Sequence, residues 1–232
     1  MSALSDLSAD PSHAEVLQLE RVYQEIKGRI VYGRYVPGTA LSESVLARVH
    51  HSSRTPVREA LSRLLEEGYV QRIPRKGYLV APLTIDVIRN TFKVRRLLEA
   101  TAAETAAGCA DAESVERMRT LADYPQLDRT TESYRERLST NDRFHLSVAA
   151  ATQNGFLVDL VRHCLTQHNR VLSLGLTFPT LATSVPQHHA VVDAIERHDP
   201  AAARAAMEDH LDDSFRLVTE LVMGGGVRGV VI

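Results

Sequence analysis

The sequence predicts a mainly α-helical protein in which a small N-terminal domain with a β-hairpin is followed by an all-helical bundle. Alanine, leucine and arginine, which favour helices, dominate the 232 residues. β-prone runs bounded by turn residues occur at one place, around residues 69–80. The charge is also divided: residues 15–82 carry 11 basic and 7 acidic residues (net +4), whereas residues 83–232 carry 16 and 20 (net −4). A basic segment before an acidic one indicates a nucleic-acid-binding module joined to a domain with another role.

The composition argues against several classes of protein. Charged residues make up 24% and hydrophobic residues 44% of the chain, as in ordinary globular proteins. Only 5% of residues are aromatic, which argues against an aromatic-lined sugar cleft. Cys109 and Cys164 fit neither a disulfide framework nor a CxxC zinc pattern. The N-terminus lacks the apolar core of a signal peptide, and glycine and proline interrupt the longest uncharged stretch, 171–192. We therefore expect a cytoplasmic protein with no membrane partner.

Three helices are predicted in the first domain, over about residues 15–32, 43–50 and 54–68. Residues 1–14 are polar and are expected to be disordered. Ser42 is placed to cap the second helix, and Pro56 lies in the first turn of the third, where its missing N–H costs nothing. Two β-prone runs around the basic loop that leads to Gly77 predict a hairpin. Helix, short helix, turn, helix and hairpin, over residues 15–82, together describe a winged helix-turn-helix.

The second domain, residues 83–222, is predicted to be all helical. Thr84 can cap its first helix, and Asp199 with Pro200 marks the start of its last helix. Further helices are expected at about 112–123, 131–152, 155–174, 185–198 and 200–222. Residues 223–232, which are rich in glycine, are expected to form a flexible tail.

The start of the third helix concentrates groups that suit DNA. These residues are Ser53, Arg54, Thr55 and Arg58. In a helix-turn-helix this end of the helix enters the major groove, where an arginine fork matches guanine O6 and N7. Hydroxyls and helix N-terminal N–H groups suit phosphates. Arg75 and Lys76 at the hairpin tip are placed to reach the minor groove or the backbone. Each arginine alone could be an ordinary surface residue, but their combination predicts DNA binding.

Three histidines on separate helices are candidate metal ligands. Asn141 and His145 are four residues apart on one predicted helix, while His188 and His210 lie on two later helices. If the bundle brings these helices together, three imidazoles and one side-chain oxygen converge, a set that suits Zn, Ni, Fe or Cu. The spacings fit no local zinc motif, so ordinary core or surface histidines are the alternative. Asp142 is rotated by about 100° around its helix and is expected to point elsewhere.

The block SRTPVREAL, from Ser53 to Leu61, is specific to one family. With the pattern that surrounds it over residues 26–81, it resembles the winged helix of GntR-type regulators. The resemblance implies that Arg54, Thr55 and Arg58 contact DNA, with Lys76 and Gly77 at the wing. Some relatives carry an additional arginine in the preceding helix, at the position where this chain has Ser44.

The second domain resembles the FCD sensor domain of the FadR-like branch. The matching segments are VRRLLE from Val94, NDRFH from Asn141, QHHAVVDAI from Gln187 and MEDH from Met207. Metal-binding FCD domains use three histidines and an aspartate four residues before the first of them. The resemblance therefore implies a divalent metal ion, zinc or alternatively nickel or manganese, held by His145, His188 and His210. Asn141 stands at the place of the aspartate, and the match favours His188 over the adjacent His189.

The resemblance also aligns Arg95 with an arginine that faces the effector pocket. An arginine fork binds a carboxylate through two hydrogen bonds, so a small organic acid is the implied effector. The alternative for Arg95 is an exposed ion pair with Glu99, four residues further along the same helix.

The resulting hypothesis is a ligand-responsive transcription regulator, a repressor rather than an enzyme. A single winged helix offers too few base contacts for a unique site, so we expect a homodimer on a pseudo-palindromic operator. Two alternatives from other classes are a metal-dependent hydrolase with a three-histidine centre and a structural DNA-binding protein without an effector.

Overall fold

Helices make up most of the chain that the structure, a computed structural model, describes. The described residues are 11–74, 77–123, 131–174, 184–225, 227 and 230–231. By its contacts the chain divides into two compact units, one ending at Leu83 and the other beginning at Thr84. No helix in the described ranges is long and apolar enough to cross a membrane. The predicted fold class, a winged helix-turn-helix followed by helices, is confirmed.

In its described residues, the first unit contains three helices and a small antiparallel sheet. Its elements are α1 (Pro11–Val31), β1 (Ala40–Leu41), α2 (Glu43–Val49), α3 (Arg54–Glu66), β2 (Val70–Ile73) and β3 (Gly77–Val80). Helix α1 begins at Pro11, so residues 11–14 of the segment expected to be disordered are helical, whereas residues 1–10 lie outside the described residues. Proline is compatible with a first turn. Strand β1 was not predicted, since two residues are too short to show alternation. It pairs with β3, so the predicted hairpin becomes a three-stranded sheet of order β1-β3-β2.

The core of the first unit lies where α1 packs against α3. Val22, Tyr23 and Ile26 of α1 meet Leu61 and Leu64 of α3, and all five side chains are buried. Apolar residues recur at helical spacing along α1 from Val16 to Ile30 and predict this face, although Val16 itself is 61% exposed and lies outside the core. Helix α3 is therefore fixed by its apolar face, and its polar residues remain outside.

Glu67, directly after α3, ties this helix to α1 through charged hydrogen bonds. Its carboxylate accepts hydrogen bonds from the Tyr23 hydroxyl at 2.6 and 2.8 Å and from Lys27 Nζ at 2.7 Å. Burial would raise the pKa of Glu67, but the hydrogen bonds from Lys27 and Tyr23 outweigh it and lower this pKa. A carboxylate whose pKa is lowered by folding stabilises the protein above its unfolded pKa, and this contribution is lost as the pH falls through the folded pKa.

We expect Glu67→Gln to destabilise the first unit by about 1.5–3 kcal/mol at pH 7, the typical contribution of hydrogen bonds to a charged group. Native-state hydrogen exchange of α1 and α3 measures this loss, and the difference from wild type should shrink as the pH falls below 4. Glu66→Gln is the matched control because Glu66 is the exposed neighbour. Equal protection of both helices in wild type and Glu67→Gln would contradict this role.

The second unit is built around α4. Its helices are α4 (Ile85–Cys109), α5 (Ala112–Ala122), α6 (Thr131–Ala151), α7 (Gly155–Ser173), α8 (Ser184–Glu196) and α9 (Pro200–Met223). Helix α4 packs against α6, α7, α8 and α9. Small buried residues on α4, among them Ala102, Ala103 and Ala106, let these neighbours approach closely. As predicted, the Thr84 side chain caps α4 and the Asp199 side chain caps α9.

A short strand lies within the expected flexible tail. Val230 and Val231 form β5, which pairs with β4 (Leu83–Thr84). Neither strand was predicted, because a pair of residues carries no periodic signal and the pairing joins distant parts of the chain.

Candidate functional sites

The start of α3 presents its polar side chains to solvent. Ser53 occupies the N-cap position in an extended conformation, and its hydroxyl makes no capping hydrogen bond. Ser53, Arg54, Thr55 and Arg58 are all exposed. The first N–H groups of a helix have no partner inside the helix, so they are available to an anion. Two guanidinium groups, two hydroxyls and these N–H groups thus lie together on one surface.

Arg58 is held in place by an acidic neighbour. Its Nη2 lies 3.1 Å from Glu43 Oε2, and its Nε lies 3.2 Å from the same oxygen. Glu43 belongs to the first turn of α2, so this ion pair links the two helices of the helix-turn-helix motif. The pair is exposed on the arginine side, where 63% of the side chain remains accessible. Such a pair contributes little stability, but it limits the directions in which Arg58 points.

An open groove of about 850 Å³ lies beside the start of α3. It is lined by Gln18, Ser44, Ala47, Arg48, His51, Ser52, Ser53 and Arg54. Arg48 was not singled out in the sequence. It follows Ser44 by one turn of α2, so it brings a positive charge to the same face on which some relatives carry an arginine.

His50, at the end of α2, faces the interior of the first unit. His50 is buried, and its Nδ1 lies 2.5 Å from Glu25 Oε2, so it joins α2 to α1 rather than facing DNA.

Gly77 has a positive φ of 91°, and a Cβ there would lie 3.2 Å from the Leu41 carbonyl oxygen. This position therefore requires glycine for backbone reasons. Arg75 and Lys76 lie outside the described residues.

In the second unit, three histidines meet in the interior. His145 of α6, His188 of α8 and His210 of α9 are buried, and their ligand nitrogens all lie within 4.8 Å of one another. His210 Nε2 is 3.3 Å from His188 Nε2 and 3.3 Å from His145 Nε2. The Phe144 ring stacks on His188 at a centroid distance of 3.8 Å and holds that ring in place. His189, the neighbour in sequence, points away and contacts Asp123 at 2.8 Å.

The environment keeps these imidazoles neutral. Burial lowers the pKa of His145, and burial together with the neighbouring histidines lowers the pKa of His188 and of His210 well below the ordinary value. A neutral imidazole has one ring nitrogen with a free lone pair, which is the form that binds a metal ion. The convergence of three Nε2 atoms is therefore a geometry that can hold a divalent cation.

Arg95 lies beside the histidines in a buried network. The predicted alternative, an ion pair with Glu99, is present, with Arg95 Nε 2.6 Å from Glu99 Oε1. It was expected to be exposed, but both side chains are at most 2% accessible, because this face of α4 lies inside the bundle. Arg95 Nη1 also contacts His168 Nδ1 at 3.0 Å, and the second Glu99 oxygen lies 2.5 Å from His145 Nδ1.

Asn141 and Asp142 have different surroundings. Asn141 is buried and lines a small cavity of about 20 Å³ together with Arg95, His145, His168, Leu172, Ser184, His210, Ser214, Leu217 and Val218. Asp142 accepts a hydrogen bond from Asn169 Nδ2 at 2.6 Å, and burial raises its pKa to about 6. Among the described residues it does not belong to the cluster of possible metal ligands. The Asn141 side chain therefore lies next to the histidines, whereas the Asp142 carboxyl group faces α7.

Sequence reasoning missed three polar residues near the histidines as parts of the site: Glu99, His168 and Gln187. Glu99 was considered only as a surface partner of Arg95. Gln187 precedes His188 in sequence, and its Oε1 lies 3.0 Å from His210 Nδ1. No local pattern identifies these residues, because each contacts a histidine or arginine on another helix.

Comparison with known proteins assigns both units to families. Residues 18–80 match the family described as bacterial regulatory proteins, gntR family, and residues 90–213 match the FCD domain. The chain is 30% identical to the Exu regulon transcriptional regulator of Escherichia coli K12, over 86% of this chain and 85% of that protein. It is 25% identical to the HTH-type transcriptional repressor RspR of the same organism, over 87% and 89% of the two chains.

The fold is likewise similar to solved structures. The E. coli protein McbR/YncC superposes with a TM-score of 0.73 at 18% identity, covering 88% of this chain and 98% of that chain. At this identity the similarity shows the fold alone. The winged helix-turn-helix, the helical second unit and the two family matches together show that this chain belongs to the GntR family of DNA-binding transcription regulators and carries an FCD domain.

Proposed function

We propose that this regulator is a repressor whose FCD domain binds a divalent metal ion and a small organic acid. The observation that carries this proposal is the convergence of the Nε2 atoms of His145, His188 and His210 in a buried, neutral cluster. The start of α3 binds the operator. The FCD domain senses the effector and does not turn it over.

The operator is bound through α3, the wing and the groove. Arg54 and Arg58 point their guanidinium groups at base edges, and Ser53 and Thr55 bind phosphates. Arg75, Lys76 and Gly77 contact DNA at the wing. The exposure of the four α3 side chains supports this assignment. Arg48 in the adjacent groove supplies a phosphate contact on the face where Ser44 offers only a hydroxyl.

The residues present fit a divalent metal ion. Three neutral imidazoles suit zinc or nickel, whereas manganese, the other proposed ion, prefers oxygen donors. Asn141 lies at the same cavity and offers a neutral oxygen as a fourth donor. The cavity of about 20 Å³ has space for about one water molecule beside the histidines. When bound, the metal supplies a Lewis-acidic centre that attracts a carboxylate oxygen.

Arg95 is the proposed second contact for the effector. It lines the same cavity as Asn141, His145 and His210. Its Nε and Nη2 pair with Glu99, so Nη1, which contacts His168, is the group proposed to bind the effector carboxylate. The cavity is too small for an organic acid beside the metal, so the effector must open it. Because α4, α6, α7, α8 and α9 all contribute to its walls, opening it moves helices relative to one another. This is a route by which effector binding favours one conformation of the dimer.

A thermal-shift screen of small carboxylates, with and without zinc, tests the proposal. A ligand that binds only the folded state raises the free energy of unfolding, by about 2.7 kcal/mol at a ligand concentration of one hundred times Kd. Tm therefore rises with the ligand concentration. We expect a carboxylate that stabilises the zinc-loaded protein and changes its affinity for DNA, without being consumed. Turnover of the compound would instead favour the hydrolase alternative, and stabilisation by no carboxylate would contradict an acid-sensing role.

We also propose that the protein is a homodimer that binds a pseudo-palindromic operator. Two winged helices related by a two-fold axis read two half-sites, which gives the base contacts that a single unit lacks. Sedimentation equilibrium should give twice the chain mass of 25.7 kDa at micromolar concentration. A monomer at that concentration that binds each half-site independently would contradict the dimer.

A further inference from the structure

We propose that Glu99 and Gln187 are positioning residues of the histidine centre: each fixes the tautomer of one imidazole so that its Nε2 lone pair faces the metal. The inference rests on the proposed metal site and goes beyond its ligands. Two contacts carry it: the Glu99 carboxylate lies against His145 Nδ1, and the Gln187 amide oxygen is hydrogen-bonded to His210 Nδ1.

Glu99 determines which nitrogen of His145 carries the proton. Its Oε2 lies 2.5 Å from His145 Nδ1, and both side chains are at most 2% exposed. Arg95 Nε donates to the other Glu99 oxygen at 2.6 Å, and this ion pair keeps the buried group an ionised carboxylate. A carboxylate can only accept a hydrogen bond. A lone pair on His145 Nδ1 would face this anion and be repelled, so we assign the proton to Nδ1 and the lone pair to Nε2.

Gln187 has the same effect on His210, and its own orientation is fixed by Asp213. The Gln187 amide nitrogen donates to Asp213 Oδ2 at 2.6 Å. The amide oxygen therefore faces His210 Nδ1, at 3.0 Å, and accepts a hydrogen bond from its N–H. His210 then carries its lone pair on Nε2. Two hydrogen bonds thus connect Asp213, at the edge of the bundle, through Gln187 to His210 in the cluster.

With these two tautomers, the lone pairs of His145 and His210 face each other and favour a cation between them. The Nε2 atoms of His145 and His210 face each other at 3.3 Å, and both carry lone pairs. No hydrogen bond can form between two acceptors, so these two lone pairs repel each other, and a positive centre between them removes the repulsion. Carboxylates and carbonyls behind metal-bound histidines have this orienting effect, and their loss typically weakens metal binding by about 10–100-fold.

The contact with Arg95 determines which way the new amide group faces in the Glu99→Gln variant. Arg95 Nε donates to Glu99 Oε1 at 2.6 Å, so in the variant the amide oxygen remains with the arginine. The amide nitrogen then faces His145 Nδ1 and donates to it, which reverses the tautomer and moves the proton to Nε2. Gln187→Met removes the acceptor for His210 without leaving a buried charge unpaired, so it is the second, milder variant.

Zinc affinity and ring tautomers test the proposal in the full-length protein. Competition with a chelator measures the zinc Kd of wild type, Glu99→Gln, Gln187→Met and the control Glu104→Gln. Glu104 also lies on α4, but its carboxylate pairs with Arg204 of α9. We expect the zinc Kd of Glu99→Gln and of Gln187→Met to be about 10–100-fold larger than that of wild type, and the Kd of the control to be unchanged. The double variant Gln187→Glu with Asp213→Asn keeps an oxygen acceptor for His210 and should recover most of the affinity.

Long-range ¹H–¹⁵N spectra of the zinc-free protein report the tautomers without any metal. We expect protonated Nδ1 in His145 and His210 of the wild type, and protonated Nε2 in His145 of Glu99→Gln. If wild type binds no zinc, the proposed metal site fails, while these spectra still decide the tautomers. Wild-type affinity in both variants, or protonated Nε2 in the wild-type rings, would overturn the positioning role.

Discussion

Replacing Arg54 or Arg58 by alanine is expected to weaken operator binding by about 1–3 kcal/mol for each lost two-pronged base contact. Both guanidinium groups are exposed at the start of α3, and the apolar face of that helix is buried separately. The substitutions therefore remove DNA contacts without opening the core. Fluorescence anisotropy with a duplex selected from a random pool, at a fixed salt concentration, measures the change.

Arg162→Ala is the matched control for these variants, because it removes an equally exposed arginine from α7 in the other unit. The control should bind DNA as wild type does, and far-ultraviolet circular dichroism should show the same helix content in all variants. Operator affinity that is unchanged in both the Arg54 and the Arg58 variants would refute α3 as the recognition helix.

The second large effect is expected at the histidine centre. His188→Ala and His210→Ala should each reduce bound zinc from one ion per chain to a small fraction, because each removes one of three converging Nε2 donors. Elemental analysis after loading with zinc and gel filtration measures the content. The three imidazoles come from separate helices, so the metal should also raise the Tm of wild type and leave that of His210→Ala unchanged.

His189→Ala is the matched control for the metal variants. This histidine is adjacent in sequence, but it lies near the surface and contacts Asp123. Its replacement should leave the zinc content at one per chain. Zinc lost in His189→Ala and kept in His188→Ala would show that the register is wrong by one residue.

The fold could largely be predicted because its signals are local. Helical spacing of apolar residues, the caps at Thr84 and Asp199 and the SRTPVREAL block each identify an element within a few residues. Strands β1, β4 and β5 could not be predicted, since each has two residues and depends on a partner distant in sequence. The early start of α1 at Pro11 likewise follows no periodic apolar signal.

The site could be predicted only in part, because its geometry depends on how helices rotate against one another. The resemblance selected His145, His188 and His210, and the structure brings them together. Glu99 and His168 are 69 residues apart in sequence. They belong to one network because the packing of α4 and α7 turns both side chains into the bundle. Arg95 is paired with Glu99 as periodicity allows, but only packing decides that the pair is buried.

The most direct test of the proposed metal centre is X-ray absorption spectroscopy of the zinc-loaded protein. Three imidazoles should give three nitrogen scatterers at about 2.0–2.1 Å, with the outer-ring signals of histidine and one further oxygen or nitrogen donor. The Cys164 thiol lies outside this donor set, so no sulfur should appear at about 2.3 Å. A sulfur shell, or fewer than three imidazoles in protein that carries one zinc ion per chain, would contradict the three-histidine centre.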